Sequence, residues 1–273
     1  MTSNDPLQTL SDFPDSEARM PVLFVGHGNP MNAIEDNEFS RAWIQAGRSL
    51  PKPRAILCIS AHWETAGTQV TAMEQPETIH DFYGFPAPLF AMQYPAPGSP
   101  GLARLVQETV RSRPVQPVHD WGLDHGTWSV LTRMFPEADI PVIQLSLDHY
   151  QSPEFHYALG QELRALRQRG VLIVGSGNMV HNLRLISWDR PQGGFDWAEE
   201  FDQTLKELIE KGDHSAIVHY EKLGQAARLS IPTNEHYLPL LYILALQEPG
   251  EQIHFFADQL TMGSLSMRSL KIE

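Results

Sequence analysis

PVLFVGHGNP, which spans residues 21–30, is a short apolar run that stops at a Gly-His-Gly turn. A run of this length, bounded by glycine and proline, predicts a buried β-strand over 21–25. A second run of the same kind, AILCIS at 55–60, is followed at once by Ala-His-Trp. The same pattern predicts further strands at 141–147, 171–174, 253–256 and 264–272.

Amphipathic helices are predicted between these strands. The longest is 152–169, in which Phe155, Leu159, Leu163 and Leu166 keep helical spacing on one face. Apolar strands that alternate with such helices are typical of a mostly parallel sheet with helices on both faces. We expect a single α/β domain over 21–273, preceded by a flexible arm at 1–20, with the other helices at 38–50, 101–113, 127–135, 197–209 and 236–246.

The composition excludes several classes of protein. The 273 residues carry 20 Lys and Arg against 33 Asp and Glu, for a net charge of −13, and no basic cluster predicts a nucleic-acid partner. Cys58 is the single cysteine, which excludes an intramolecular disulfide framework and a cysteine-based metal site. No apolar stretch is long enough to span a membrane, and residues 1–20 do not resemble a signal peptide. We expect a cytoplasmic protein without a membrane partner, as a monomer or small homo-oligomer.

Histidine is the unusual component, with twelve residues. His27 and His62 follow the first two predicted strands, and His181 follows 171–174 through a Gly-Ser-Gly turn. In open α/β sheets, residues just past the carboxyl ends of the strands line the ligand crevice. His236 opens a predicted helix and can face the same crevice. The sequence therefore predicts a histidine site at this edge.

The remaining features have simpler interpretations. His125 precedes a predicted helix for which Asp124 is a candidate cap, and Cys58 is expected to be inert packing. Trp63 and Trp128 fit either the core or the wall of an aromatic pocket. No GxGxxG or GxSxG motif competes for the site. Solvated or capping roles are expected for His119, His149, His156, His214, His219 and His254.

A cluster of imidazoles suits zinc, iron, copper or nickel, and the lack of thiolates argues against a structural zinc site. A metal held in this way keeps open coordination positions. It can activate water for hydrolysis or, if it is ferrous iron, bind an anionic catecholate beside dioxygen. Composition and spacing leave both chemistries open.

Nine motifs follow one another along the chain: GHGNPM (26–31), SAHW (60–63), IHDFYGFP (79–86), YPAPGSP (94–100), GLDHGTW (122–128), PVIQLSL (141–147), GSGNMVHNLR (175–184), EHYLPLLY (235–242) and MGSLSM (262–267). Together they resemble the motifs of the class III extradiol ring-cleaving dioxygenases, in the DOPA-dioxygenase-like branch of the LigB superfamily. Asn29 and Asn234 depart from the residues usual in that branch, Ser and Pro, beside ligand positions.

The resemblance implies one mononuclear non-haem metal ion, Fe(II) for turnover with Zn(II) able to occupy the purified protein. His27 and His62 match the firmest ligands, and His181 and His236 match the other two metal-site histidines. Whether Glu235 or its neighbour His236 reaches the metal stays open. His181 is also a candidate base. By the same resemblance, His125 contacts the hydroxyl of a catechol such as DOPA and assists proton transfer, with O2 as the second substrate.

The segment 75–100 is rich in proline, glycine and aromatic residues and is long for a plain connection. Such a loop usually shapes a site. We expect it to form the pocket mouth, with His80 and Phe85, together with Trp128, in contact with substrate. The alternative is a proline-rich surface wrap held by its own aromatic residues.

Two other functions remain possible at the level of sequence. A zinc-dependent hydrolase would use the same histidines to activate water, since zinc has no redox chemistry for O2. A metal-binding module without turnover is the third reading. Oxygen uptake with a catechol separates the dioxygenase from both.

Overall fold

The computed structural model describes residues 13–16 and 18–273. Its strands are β1 (Val22–Gly26), β2 (Ala55–Thr65), β3 (Thr68–Thr71), β4 (Val115–Val118), β5 (Val142–Asp148), β6 (Val171–Gly177), β7 (Ile253–Phe256), β8 (Leu260–Thr261), β9 (Leu265–Ser266) and β10 (Ser269–Ile272). Eight of them form one sheet in the order β4-β3-β5-β2-β6-β1-β10-β7, and β8 pairs with β9. The central strands β5, β2, β6 and β1 are parallel, while β10, β7 and the β3–β5 pair are antiparallel.

Helices cover both faces of this sheet. Along β2, Leu57 and Ile59 pack into the core on one face, and Ile56 and Cys58 pack into the core on the other. Residues 55–61 of this strand are all buried, which is the reason that this part of it is apolar except for Ser60. The helices are α1 (Glu38–Ser49), α2 (Ala87–Phe90), α3 (Pro100–Thr109), α4 (His125–Met134), α5 (Pro153–Glu162), α6 (Asp196–Lys211), α7 (His214–Val218), α8 (Gln225–Ser230) and α9 (Leu238–Ala245), with short 3₁₀ helices at Pro30–Ala33, Leu163–Arg169, Leu183–Leu185 and Tyr220–Leu223.

The predicted fold class, a single α/β domain with a mostly parallel sheet flanked by helices, is confirmed. Of the predicted arm at 1–20, residues 1–12 and 17 lie outside the described residues. Phe13 and Met20 are buried against the domain, and the Met20 amide donates to the carbonyl of Arg167. No helix among the described residues is long and apolar enough to cross a membrane.

The second strand is longer than predicted and contains His62. β2 continues to Thr65, and its pairing with β5 shifts register between Ile59 and Glu64. An irregularity of this kind re-aims the side chains within it. The expectation that His62 follows the strand is therefore wrong, although the register shift still places it at the same edge of the sheet as His27.

The predicted helix at 152–169 is two elements, because the chain tightens from α5 into the 3₁₀ helix Leu163–Arg169. Arg167 in that turn is fully buried and donates to the carbonyls of Met20 and Leu246. The predicted strand at 264–272 is likewise divided into β9 and β10. β3 and β4 are not predicted, because four residues rich in Thr, Gln and Pro give no apolar run.

A buried ion pair ties α6 to the segment before β10. Arg268 Nε lies 2.9 Å from Asp202 Oδ2, and Ser266 Oγ donates to the other carboxylate oxygen. Asp202 and Arg268 are both buried, and Asp258 is a second partner of the guanidinium. This pair holds β9 and β10 beside the helix.

Asp202→Ala is expected to lower the free energy of unfolding by about 3 kcal/mol, because it leaves the buried guanidinium without its main partner. Urea unfolding measures the change. Glu207→Ala, on the same helix but in an exposed pair with Lys211, is the control and should cost less than about 0.5 kcal/mol. Equal effects of the two substitutions would contradict this account of Asp202.

Candidate metal centre

Five histidines line one cavity of about 490 Å³ at the carboxyl edge of β1 and β6. They come from distant parts of the chain and converge because the parallel strands end at the same side of the sheet. The five are His27, His62, His125, His181 and His236.

His27 is held by the end of the β1–β6 ladder. Its amide donates to the carbonyl of Gly177 over 3.0 Å, and its Nδ1 lies 3.0 Å from Ser176 Oγ. That hydroxyl donates its one proton to the carbonyl of Gly126, 2.6 Å away. Ser176 must therefore accept from His27 Nδ1–H, which leaves Nε2 as the unprotonated nitrogen of the ring.

His62 presents its own Nε2 to His27, with 3.1 Å between the two Nε2 atoms. Two imidazoles that bind one ion at about 2.0–2.1 Å have nitrogens roughly 2.9–3.4 Å apart for angles between octahedral and tetrahedral. Burial lowers the pKa of His62 to about 3, with His125 adding to the effect, and burial lowers the pKa of His27 well below its usual value. Both rings are thus neutral and can each offer a nitrogen lone pair to a metal ion, and the distance between the two nitrogens fits a shared cation.

Glycines permit the close approaches around these rings. A Cβ on Gly126 would lie 2.9 Å from His62 Cδ2, and a Cβ on Gly177 would lie 2.1 Å from the carbonyl oxygen of His236. That carbonyl accepts from the amide of Asn178. Gly126 and Gly177 are therefore explained by packing around the histidines.

His236 completes a group of three with His27 and His62, whose ligand atoms lie within 4.8 Å of one another. Its Nδ1 is 3.0 Å from Glu235 Oε1, so the carboxylate accepts from Nδ1–H and Nε2 is left free. Burial lowers the pKa of His236 well below its usual value, and His181 adds to the shift. The donor set of three neutral imidazoles fits a divalent metal ion.

His181 lies face to face with His236, with ring centroids 3.5 Å apart and planes 7° apart. The nitrogen lone pairs of an imidazole point outward in the plane of its ring. Because the two rings are parallel and separate, an ion bound in the plane of His236 lies outside the plane of His181. Burial lowers the pKa of His181 to about 4, against the opposing charge of Glu235. The neutral ring is a proton acceptor beside the group of three.

His125 is paired with Asp81. Its amide donates to Asp81 Oδ1 over 2.9 Å, and its Nδ1 lies 2.9 Å from Asp81 Oδ2, which is also 3.9 Å from His62 Nδ1. Burial acts to raise the pKa of Asp81, but the hydrogen bonds and charge of His125 outweigh it and hold that pKa below its usual value. Asp81 thus pairs with His125 through its amide and by charge, while His125 Nδ1 itself has no partner with hydrogen-bond geometry.

Asp124 is the cap of α4, as predicted, and is not part of the histidine cluster. Its Oδ1 accepts from the amide of Thr127 and from Ser60 Oγ, and its Oδ2 accepts from Gln144. Burial raises the pKa of Asp124, and the neighbouring Asp81 adds to the shift. The cap therefore fixes where the helix that carries His125 begins.

The structure separates the three predicted substrate contacts. Phe85 lines the cavity, whereas His80 and Trp128 lie behind its wall. His80 Nε2 is 2.9 Å from the carbonyl of Met92, and the fully buried Trp128 donates Nε1–H to the carbonyl of Ile79. Both polar groups hold the 75–100 loop, and the direct substrate contacts predicted for His80, Phe85 and Trp128 stay predictions.

Several contributors were missed from the sequence. Ser176 gave no signal because a serine between glycines suggests only a turn. Trp188 and Leu183 also line the cavity, and they lie in the mostly apolar stretch LRLISW at 183–188, which is too short to show a period. His156 is also corrected: it is fully buried, with Nδ1 3.0 Å from Tyr242 Oη, and is neither solvated nor a cap.

The chain belongs to the LigB family, because the sequence profile of the catalytic LigB subunit of aromatic ring-opening dioxygenase matches residues 21–261. It is an extradiol aromatic ring-opening dioxygenase of class III, as the motifs predicted. The chain is 46% identical to the 4,5-DOPA dioxygenase extradiol of Escherichia coli (strain K12), over 96% of this chain and 98% of that protein. The enzyme of the same name from Beta vulgaris is 41% identical, over 92% and 95%. A crystal structure of an uncharacterized protein from Escherichia coli K12 has a TM-score of 0.80 at 42% identity, and covers 93% of this chain and 100% of that one.

Ser176→Ala is expected to weaken metal affinity about 10- to 100-fold, because it frees the His27 ring to rotate and to change tautomer. Chelator competition measures the dissociation constant. Ser129→Ala is a matched control, since that buried hydroxyl in α4 has no hydrogen-bond partner. If the two variants bind metal equally well, Ser176 does not orient His27.

Proposed function

We propose that this protein cleaves catechols such as DOPA by extradiol attack of O2 at a single divalent metal ion. The observation that carries the proposal is the convergence of three neutral imidazoles, His27, His62 and His236, at the floor of one cavity. The relatives named 4,5-DOPA dioxygenase extradiol support a catechol as the substrate.

The metal would be held by the Nε2 atoms of His27, His62 and His236, with Fe(II) as the ion for turnover and Zn(II) as an inactive occupant. When bound, Fe(II) supplies a common site for a catecholate and O2 and passes electron density between them. Ser176 and Glu235 fix the tautomers of two of the three rings. The ligand nitrogens are therefore set in place before the ion arrives.

His125 is proposed to take a proton from a catechol hydroxyl. Its Nδ1 lies 2.9 Å from the Asp81 carboxylate, so a proton taken up by the ring makes an imidazolium beside a partly buried negative charge. This arrangement favours proton transfer to the ring. Asp81 also holds the ring in place through the His125 amide.

His181 is proposed as the second proton acceptor and the fourth residue of the metal site. Its ring is neutral and lines the cavity beside His236. A catechol has two hydroxyl protons; the His125 ring lies beside His62 and the His181 ring beside His236, so each could take one of them. Phe82 and Phe85 close part of the wall and exclude water from the reacting ring.

The remaining proposals concern where the enzyme acts and what it binds. The acidic chain, at −13, is proposed to act in the cytoplasm on small molecules alone, without nucleic-acid or membrane partners, as a monomer or small homo-oligomer. The catalytic domain is proposed to span 21–273.

Anaerobic reconstitution with Fe(II), followed by measurement of oxygen uptake, tests the function. We expect one O2 consumed per molecule of catechol across a panel of DOPA, dihydroxyphenylacetate, protocatechuate and catechol itself. Zn(II)-loaded protein should consume none, because zinc has no redox chemistry. Hydrolysis of esters or amides by the Zn(II) form, with no oxygen uptake by the Fe(II) form, would establish the hydrolase instead.

His125→Ala is expected to keep its Fe(II) while turnover falls about 10²- to 10⁴-fold, the usual contribution of a general base. Metal analysis and oxygen uptake on the same sample separate the two effects. His254→Ala, which removes an exposed histidine paired with Glu273, is the control and should keep both. Loss of iron from His125→Ala, or unchanged turnover, would show that His125 has another role.

A further inference from the structure

The turn between β8 and β9 carries a methionine in a backbone conformation that this residue rarely adopts. Met262 has a φ of 51°, and Gly263, the next residue, has a φ of 76°. Two successive residues with positive φ are typical of tight hairpin turns, in which Asn-Gly or Gly-Gly is the usual pair. A methionine is strained there because its Cβ crowds the neighbouring carbonyl oxygen. The turn itself therefore gives no reason for a methionine at position 262.

The surrounding chain holds the turn in this conformation. The carbonyl of Met262 accepts from the amide of Ser187 over 2.8 Å, and the carbonyl of Gly263 accepts from the amide of Phe195 over 2.7 Å. Strained conformations persist where neighbouring contacts over-determine them, and they cluster at functional sites. These two bonds tie the turn to a separate segment of the chain and keep Met262 in the left-handed region.

Core packing does not account for the Met262 side chain. Among the described residues, the two apolar clusters on the faces of the sheet do not include it, and neither do the half-buried side chains packed against them. Met262 instead lines the cavity that contains the five histidines. The strain is therefore retained at a residue that faces the ligand cavity, and not at one that fills the core.

Met262 is joined to the open end of that cavity. Ser187, which donates to the Met262 carbonyl, lies between Ile186 and Trp188, and both of these line the same cavity. Trp188 is 72% exposed, whereas His27 at the metal centre is 2% exposed. The cavity thus runs from buried imidazoles to a wall that is open to solvent, and the turn is attached to this wall.

We propose that Met262 is a specificity-determining residue, whose side chain packs against the ring substituent of a bound catechol. This inference rests on the proposed function and names a residue that contacts the part of the substrate away from the diol. A catechol that binds a metal through both oxygens directs a substituent at ring position 4 away from the ion. The unbranched and polarizable side chain of methionine adapts to such a group. The contact with the substituent is the reason that a strained residue is kept in the turn.

Substitution by glycine separates this contact from the conformation of the turn. Met262→Gly removes the side chain and relieves the strain, so the Tm of the Fe(II)-loaded protein should rise by about 2–4 °C. Oxygen uptake gives kcat/KM for 3-(3,4-dihydroxyphenyl)propionate and for catechol, which lacks the substituent. The ratio of the first value to the second should fall about 5- to 10-fold, because apolar area buried against the substituent is lost. A lower Tm, or an unchanged ratio, overturns the inference.

Two further variants control for the backbone and for the apolar contact. Ala257 has nearly the same φ, 49°, and is not among the described residues that line the cavity. Ala257→Gly should therefore raise the Tm without changing the ratio. Met262→Leu keeps an apolar side chain of similar volume and should bring the ratio back to within about 3-fold of the original protein. A fall of the ratio in Ala257→Gly, or no recovery in Met262→Leu, overturns the inference.

The inference and the proposed function fail in different ways. If no catechol supports oxygen uptake, the dioxygenase proposal fails, and calorimetry on Zn(II)-loaded protein then measures the Kd of the same two compounds. Weaker binding of the propionate relative to catechol in Met262→Gly, by about 5- to 10-fold, supports the contact. An unchanged ratio of the two Kd values overturns it.

Discussion

The parallel pairing of β1 with β6 is the constraint on which the metal centre depends. The register sets Gly26 opposite Gly177. As a result, His27, which follows β1, comes within hydrogen-bond distance of Ser176, the second-last residue of β6. Ser176 then has one donor and one acceptor contact, to Gly126 and His27. A single hydroxyl therefore joins two strands and a helix at the point where the first ligand leaves the sheet.

Each ring of the site is oriented by a different neighbour. Ser176 Oγ lies against His27, the Glu235 carboxylate lies against His236, and the Asp81 carboxylate lies against His125. In a buried setting an imidazole without such a partner would be free to adopt either tautomer, and only one of them offers its nitrogen to the cavity. The carboxylates lie behind the rings, which places negative charge where protons are held and keeps it out of the cavity.

The sequence predicted the parts of the site that follow regular strands. His27 and His181 were found because apolar runs end just before them, and His236 because it precedes an apolar helix. His62 was predicted to follow the second strand but lies within β2, at a shift of register that residue composition does not reveal. For His80 and Trp128 the sequence shows that the loop is aromatic, but not that their ring nitrogens contact the carbonyls of Met92 and Ile79; whether they contact substrate stays a prediction.

The choice between Glu235 and His236 was also beyond the sequence, because neighbours in the chain differ in direction and the difference is set by the backbone. The amide of Asn178 donates to the His236 carbonyl and helps to fix that direction, and the imidazole is the proposed ligand because its ligand atom groups with those of His27 and His62. The sequence also does not show that Tyr83 and Trp188 line one cavity, because they are far apart in the chain.

A crystal structure of the Fe(II)-loaded protein, with the ion located by its anomalous scattering, tests the central claim most directly. The account predicts one ion within about 2.0–2.3 Å of the Nε2 atoms of His27, His62 and His236. Glu235 would remain on His236 Nδ1, and His125 would remain on Asp81. An ion bound elsewhere, or held by Glu235 with His236 turned away, would contradict it.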